Sequence, residues 1–151
     1  MLALPVDAQT LSISHAASTW ALVGLTWIVQ LVIYPQFSDI GSHFKSYHRN
    51  YTQRITLVVL PLMGTELITA ILLTLYPGKI SMLQSGIGLA LVLIVWALTG
   101  LLAVPLHYRL ENGFDTKLHK ALLHVHWFRT VIWSIRGAMV ASWLCTVLGH
   151  P

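Results

Sequence analysis

The sequence predicts an all-α integral membrane protein, a bundle of four transmembrane helices with an amphipathic interfacial segment between helices 1 and 2. Hydrophobic residues make up 56% of the chain and charged residues only 9%, whereas a soluble domain has about 25% charged residues. Four stretches are also apolar enough to cross a bilayer, which requires about 20 residues each. At 151 residues we expect one transmembrane domain that covers residues 1–151.

The predicted spans are residues 11–34, 55–76, 82–104 and 118–148. Proline follows each of the first three spans, at Pro35, Pro77 and Pro105, and we expect it to end the helix because it lacks the N–H that would continue the hydrogen-bond ladder. The N-terminal apolar stretch has no Lys- or Arg-rich region of the kind that precedes a signal peptide, so we interpret it as the first span.

Basic residues predict the orientation of the spans. Residues 36–54 carry aromatic side chains at helical spacing with basic residues between them, which is typical of a helix lying in the membrane interface. One side of the predicted membrane holds Lys45, Arg49, Arg54, Arg109, Lys117 and Lys120, and the other holds only Lys79. The positive-inside rule places the first group in the cytoplasm and both termini outside. Since the basic residues adjoin spans, the net charge of +4 does not indicate nucleic-acid binding.

A polar stripe runs along the fourth span. At 100° per residue, His119, His126, Arg129, Trp133 and Arg136 fall on one face, which we expect to point into the bundle. Charges inside a membrane are functional-site hypotheses by default.

Glu66 in the second span is a counter-charge for this stripe. Measured from the basic residues at the membrane edge, Glu66 and Arg129 lie near one depth, so we predict that they pair. Arg136 would then lie two turns further out without an acid, and we predict that it serves a ligand.

Polar residues of the other spans extend this hypothesis to a pocket. We expect Gln30, Tyr34, His107 and His126 to line a cavity that is open to the cytoplasm and capped by residues 37–51. We assign Glu66, His126 and Arg129 as candidate catalytic residues, and the candidate ligand-binding residues are Gln30, Tyr34, His107, Trp133 and Arg136. The alternative is that the buried charges are only a structural staple between helices.

Cofactors receive little support from the sequence. Glu66, His107 and His126 could supply metal ligands from three helices, but the chain lacks the Glu-x-x-His pairs of di-iron bundles, so a metal is not favoured. A b-type haem is not favoured either, because His107 and His126 lie near the predicted cytoplasmic edge. The single cysteine, Cys145, excludes an intrachain disulfide and any CxxC motif. We therefore leave the cofactor unassigned and predict no metal site.

Motifs between Ser14 and Arg136 resemble those of a known group of proteins. They include Trp27-Ile28-Val29-Gln30-Leu31-Val32-Ile33-Tyr34-Pro35, Pro61-Leu62-Met63, Val104-Pro105-Leu106-His107, Gly113-Phe114-Asp115 and Trp127-x-Arg129-Thr130-x-x-Trp133-x-x-Arg136. With them the chain resembles small four-span bacterial membrane proteins of unassigned function, which implies a bacterial inner-membrane location. The chain has His126 where that group has Asn, and Tyr51 where it has His. If the group uses that histidine, either His48 replaces it here or the activity differs.

The size, the four spans and the late arginines are also remotely similar to anthrone-oxygenase-like membrane proteins, which implies oxygenase chemistry without a metal. We therefore predict a pocket that binds or transforms an amphiphilic, aromatic or quinone-like ligand in an oxygenase- or isomerase-like reaction. Arg129 would hold an anionic oxygen, and Glu66 or His126 would move a proton. The alternative is an accessory or assembly subunit of a larger membrane complex, with the charges as interhelical locks. The bilayer is a partner in both cases, and a homo-oligomer is compatible with both.

Overall fold

The computed structural model of the chain describes residues 7–76 and 78–148 as helices joined by short turns. The α-helices in these ranges are α1 (Ala8–Ile28), α2 (Tyr34–Gln36), α3 (Phe44–Leu75), α4 (Met82–Ala97), α5 (Val104–Leu110) and α6 (Thr116–Leu148). A first π segment (Val29–Ile33) joins α1 to α2, and a second π segment (Leu98–Ala103) joins α4 to α5. Two 3-10 turns, Phe37–Asp39 and Gly41–His43, lead into α3.

These helices form four membrane spans, at Ala8–Asp39, Gly41–Leu75, Met82–Leu110 and Thr116–Leu148. The predicted all-α four-span bundle is therefore confirmed. Large apolar side chains cover the outside of the bundle, for example Leu57, Leu83 and Leu101, which are 77%, 74% and 73% exposed. Exposure of that extent along every span requires a lipid environment. The protein is thus a multi-pass membrane protein.

Two of the predicted helix ends are wrong. Pro35 and Pro105 do not end their spans but lie in the first turn of α2 and α5. A proline ring clashes with the carbonyl one turn earlier, and the wider π turn before each proline relieves that clash while the helix continues. The second span ends at Leu75 in α3, and Pro77 lies outside the described residues.

The segment predicted to lie in the interface consists of the 3-10 turns and the first turns of α3, which begins ten residues before Arg54. Its aromatic residues differ in burial, since Phe37 and Phe44 are only 1% and 2% exposed whereas Tyr47 is 40% exposed. The segment therefore packs its phenylalanines over this end of the bundle, as the predicted cap would. We call this end of the bundle the basic end, because the six basic residues used to predict the orientation lie there.

Capping residues determine where α4 and α6 begin. Ser81 accepts a hydrogen bond from the backbone N–H of Gln84, whose side chain returns a bond to the backbone of Ser81. Asp115 accepts bonds from the N–H groups of Lys117 and Leu118, at 2.8 and 2.9 Å. The bond from Leu118, followed by that from Lys117, holds the pKa of Asp115 below its ordinary value.

The four spans pack as a ring in which α1 contacts α3 and α6, and α4 contacts the same two helices from the other side. Of the small residues that mark helix contacts in lipid, two glycines are placed where a larger side chain would collide. A Cβ on Gly137 would lie 3.1 Å from Val23 of α1, and a Cβ on Gly88 would lie 2.5 Å from the Trp143 ring. Gly88 therefore permits the close approach of α4 to α6.

We expect Gly88→Ala to lower the free energy of unfolding by about 1–3 kcal/mol, the usual cost of overpacking a core. The matched control is Gly86→Ala on the same helix, where nothing lies within 4 Å of the added Cβ. Thermal unfolding of both variants in one detergent tests this. Equal melting temperatures would show that α4 and α6 do not approach closely at Gly88.

Candidate functional site

The polar stripe of α6 points into the bundle, as the sequence predicts. His126, Arg129, Trp133 and Arg136 are 2%, 6%, 0% and 1% exposed. His124, on the other face of the helix, is exposed. The interior therefore contains two guanidinium groups about two turns apart, and each has a different environment.

Arg136 pairs with Glu66, so the predicted pair of Glu66 with Arg129 is wrong. The Nε–H of Arg136 donates to Oε1 of Glu66 at 3.0 Å, and both side chains are 1% exposed. Thr19 donates to the same oxygen, and the indole N–H of Trp133 donates to Oε2, each at 3.0 Å. Three donors thus saturate the carboxylate without Arg129.

The register of α3 explains this correction. Arg54 is a poor marker of the membrane edge, because α3 already begins at Phe44. Glu66 lies 22 residues after the start of α3, and Arg136 lies 20 residues after the start of α6 at Thr116, while Arg129 lies only 13 residues after it. Glu66 and Arg136 therefore occupy one level of the bundle.

The rest of the Arg136 guanidinium is also satisfied. Nη1 donates to the carbonyl of Gly88, and Nη2 donates to Nε2 of His15 at 3.3 Å. Nδ1 of His15 lies 2.8 Å from the Thr69 hydroxyl, which itself donates to the Thr65 carbonyl, so Nδ1 carries the hydrogen. All four spans meet in this network, which closes the half of the bundle away from the basic end.

Trp133 separates this network from a cavity in the basic half. Its indole N–H faces Glu66, and the Arg129 guanidinium lies against its ring, 5.2 Å from the centroid. The cavity has a volume of about 180 Å³ and is lined mainly by apolar side chains of α1, α3 and the second π segment. Its polar lining includes Tyr34, Tyr51, His107, His126 and Arg129.

The mouth of the cavity faces lipid. The lining residues contributed by α6, His126, Arg129 and Trp133, are buried. By contrast, Leu60 of α3 and Val104 of α5 line the cavity and are 54% and 56% exposed. The mouth therefore lies between α3 and the start of α5. At the basic end, where the sequence predicts an opening, Phe37 packs across Tyr34 and Tyr51, with ring centroids 5.3 Å apart in both cases.

Two unpartnered hydrogen-bond donors line this cavity. Nε of Arg129 and the indole Nε1 of Trp96 are buried, and neither has a hydrogen-bond partner among the described residues. Within residues 7–76 and 78–148, Arg129 also forms no ion pair. A buried donor without an acceptor costs about 1–3 kcal/mol, more if it is charged, so the cavity is suited to a molecule that presents an acceptor oxygen.

His126 supplies a hydrogen-bond acceptor to the cavity, in contrast to the two donors. Its Nδ1 lies 2.8 Å from the amide oxygen of Gln30, which fixes the hydrogen on Nδ1. Nε2 then carries the lone pair and has no hydrogen-bond partner in the described part of the chain. The ring lines the cavity beside Tyr34, with centroids 4.7 Å apart. His126 can therefore accept a proton or a hydrogen bond there.

A chain of hydrogen bonds leads from the cavity to the basic end. The Tyr34 hydroxyl lies 2.9 Å from Nε2 of His107, and Nδ1 of His107 lies 3.0 Å from Nε2 of His48. His48 is fully buried among Phe37, Phe44 and His107, and its Nδ1 has no hydrogen-bond partner in the part of the chain that the structure describes.

The π segments position the first two members of this chain. Tyr34 directly follows the first π segment, and His107 lies in the turn after the second. Each wide turn rotates the residues after it relative to a regular helix, and the two side chains meet. His119 of α6 secures the bend by donating from Nε2 to the Tyr34 carbonyl at 2.8 Å.

The structure divides the eight candidate site residues into two groups. Tyr34, His107, His126, Arg129 and Trp133 line the cavity, and Gln30 supports His126 from behind. Glu66 and Arg136 belong to the saturated network. The sequence did not indicate Trp96, since an indole in an apolar span resembles any lipid-facing tryptophan. The sequence analysis considered His48 only because of the resemblance to a known group. Its helical spacing from Phe44 and Tyr51 is the sequence signal that would have placed it on the inner face of α3.

Within the described ranges, no group of three His, Cys, Asp or Glu side chains is arranged to hold a metal ion. Glu66 in particular does not join His107 and His126 at the cavity. Comparisons of the chain with protein-family models, curated proteins and solved structures find no match. The resemblance to four-span bacterial proteins therefore stays a prediction, and the function rests on the site itself.

We expect Glu66→Gln to destabilise the protein by about 3–5 kcal/mol, because Arg136 would remain as an unmatched buried charge. Adding Arg136→Met should recover part of this loss, whereas adding Arg129→Met should not. Thermal unfolding of the single and double variants in one detergent measures the coupling. Additive losses for Glu66 and Arg136, or recovery through Arg129, would contradict the assigned pairing.

Proposed function

We propose that this membrane protein binds an amphiphilic molecule with an aromatic or quinone-like head and transforms it by acid–base chemistry. The observation that carries the proposal is Arg129 beside an apolar cavity, with no carboxylate partner and no acceptor for its Nε among the described residues. A buried guanidinium with no carboxylate is costly in lipid. A ligand oxygen with negative charge would offset that cost.

The size and mouth of the cavity support this ligand class. A cavity of about 150 Å³ accommodates one benzene ring, and the volume here is about 180 Å³. The head would thus be a single ring or a group of similar size. The mouth between Leu60 and Val104 faces acyl chains, so an apolar tail could remain in the bilayer. The ligand would enter sideways from the membrane.

The polar groups support proton transfer at the ligand head. Arg129 and the Trp96 N–H would stabilise a phenolate or enolate oxygen, since fixed donors in a low-dielectric site favour developing negative charge. Nε2 of His126 is available as a base, and the Tyr34 hydroxyl as an acid. An isomerase-like reaction needs only these groups. An oxygenase-like reaction would begin from the same oxyanion and would need dioxygen as oxidant.

In this assignment Glu66 and Arg136 lock the helices together and do not touch the ligand. This network also favours the alternative function, an accessory subunit whose buried charges are interhelical locks. The lock explains Arg136 fully but leaves Arg129 and Trp96 without a role. Native mass spectrometry of gently extracted protein separates the two functions, because a bound small molecule supports the first and a bound partner chain the second.

Binding can be tested with a defined probe, an alkyl-substituted 4-nitrophenol added to the protein in lipid nanodiscs. We expect the nitrophenolate to bind with a change in its absorption spectrum. Arg129→Met should weaken binding by about 10- to 100-fold, the loss of one hydrogen bond to a charged group. Arg109→Met, which removes an exposed arginine at the basic end, is the matched control. Equal affinities for wild type and Arg129→Met would contradict the proposal.

We further propose a bacterial inner-membrane location with the basic end in the cytoplasm and both termini outside. Cysteines placed at Ser46 and Ser81 in a Cys145→Ser background should react from opposite sides of the membrane. An impermeant maleimide added to intact cells should label only position 81. Labelling of position 46 from outside would reverse the orientation.

A further inference from the structure

Three buried side-chain atoms in the described part of the chain have no hydrogen-bond partner: Nε of Arg129, Nε1 of Trp96 and Nδ1 of His48. The first two line the cavity, where the proposed ligand would satisfy them. His48 does not line the cavity. It is 0% exposed and lies toward the basic end, so a ligand in the cavity does not explain its orphaned atom.

His48 is nevertheless connected to the cavity. The links are His48 Nε2 to His107 Nδ1 at 3.0 Å and His107 Nε2 to the Tyr34 hydroxyl at 2.9 Å. An imidazole can accept a hydrogen on one nitrogen while it releases one from the other. These three hydrogen-bonded residues therefore have the composition of a proton relay. The Tyr34 phenol lies at the cavity, and the free Nδ1 of His48 lies at the basic end.

We propose that Tyr34, His107 and His48 form a proton relay that carries protons between the basic end and the oxygen of the bound ligand. This inference rests on the proposed ligand pocket and adds the route by which the ligand oxygen is protonated. It also assigns a role to the orphaned Nδ1 of His48, which would be the entrance of the relay.

The transfer balances without any further reactant. In the loaded state, His48 Nε2–H donates to His107 Nδ1, and His107 Nε2–H donates to the Tyr34 oxygen, so the Tyr34 O–H is free to donate to a ligand oxyanion. The Tyr34 O–H bond breaks as the ligand O–H bond forms. Tyr34 then takes the hydrogen from His107 Nε2, and His107 takes the one from His48.

One proton finally binds His48 at Nδ1. Both hydrogen bonds of the chain are now reversed, and Tyr34 donates to His107. The net reaction converts a ligand oxyanion and one proton from the basic end into a neutral ligand hydroxyl. The same steps in reverse, starting from a ligand hydroxyl that gives its proton back to Tyr34, return both imidazoles to their first tautomers and release one proton from His48 Nδ1 at the basic end.

Aromatic side chains shield His48 from bulk water. Phe37 and Phe44 pack against its ring, with centroids 5.5 and 5.3 Å away, and shield it from the aqueous edge. Glu111, in the turn after α5, is the acidic residue whose charge acts on His48. A carboxylate at the entrance attracts protons, while the aromatic cap keeps the cavity dry.

The relay can be tested with the same alkyl-substituted 4-nitrophenol bound to excess protein in nanodiscs. A rapid drop in pH converts the yellow nitrophenolate to the colourless phenol, and stopped-flow absorbance reports the rate at the bound probe. We expect His48→Gln, which lies outside the cavity, to bind the probe with unchanged affinity, and His107→Asn is measured with enough protein to bind all of the probe. Each should protonate it about 100-fold more slowly than wild type, the lower range for a positioned proton donor.

Tyr34→Phe should show the same slow protonation, because it removes the last donor. His124→Asn is the control, since it changes an exposed histidine of α6 outside the chain of hydrogen bonds. If His107→Asn does not fold, His48→Gln alone decides, because it alters only the outermost link.

Two outcomes are distinguishable. Wild-type rates in His48→Gln with intact binding would overturn the relay and leave the binding function standing. Absence of probe binding to wild type, or equal binding by Arg129→Met, would overturn the proposed function itself.

Discussion

The fold depends on the salt bridge between Glu66 and Arg136. In lipid a buried charge must be matched, and here each of the four spans contributes to the match. Thr19 and His15 come from α1, Glu66 from α3, and Gly88 supplies a carbonyl from α4 to Arg136 of α6. A shift of any helix by one turn would leave a charge or a strong donor unpaired, so this network sets the register of the bundle.

This network also explains why Arg129 stands apart. The carboxylate of Glu66 is saturated by three donors, and the remaining acids of the chain lie at or near the helix ends. Trp133 links the two environments, since its N–H completes the Glu66 shell while its ring receives the Arg129 guanidinium. The half of the bundle away from the basic end is therefore closed by matched charges, and the basic half retains an unmatched one beside a cavity. This asymmetry separates the paired charges that hold the helices together from the site that we propose for a ligand.

The two π segments provide the geometry of the basic half. Each precedes a proline, and each turns a polar side chain inward, Tyr34 after the first and His107 after the second. Pro61 in α3 has no such segment, and its helix continues as α-helix from Phe44 to Leu75. Proline alone thus does not produce the wide turn. The π turns occur where a polar residue next to or near the proline, Tyr34 before Pro35 and His107 after Pro105, finds a partner across the bundle.

Composition and periodicity determined the architecture of this protein. Apolar runs in a chain with few charges permit only membrane-spanning helices, and the 100° period of α6 placed His126, Arg129, Trp133 and Arg136 on one inner face. These are local properties, since each depends on residues within one helix. The basic residues likewise predicted that the loop before the second span and the loop before the fourth span lie on the same side of the membrane. That inference does not depend on how the spans pack.

Only the tertiary structure decided which arginine Glu66 binds. That choice depends on the relative height of two helices, and the sequence shows it only through where α3 begins, at Phe44 and not near Arg54. The cavity mouth and the link of His48 through His107 to Tyr34 depend in the same way on helices distant in sequence. The prediction that Pro35 and Pro105 end their helices was wrong for a related reason. A proline removes one hydrogen bond locally, but whether the helix ends or widens depends on the packing that surrounds it.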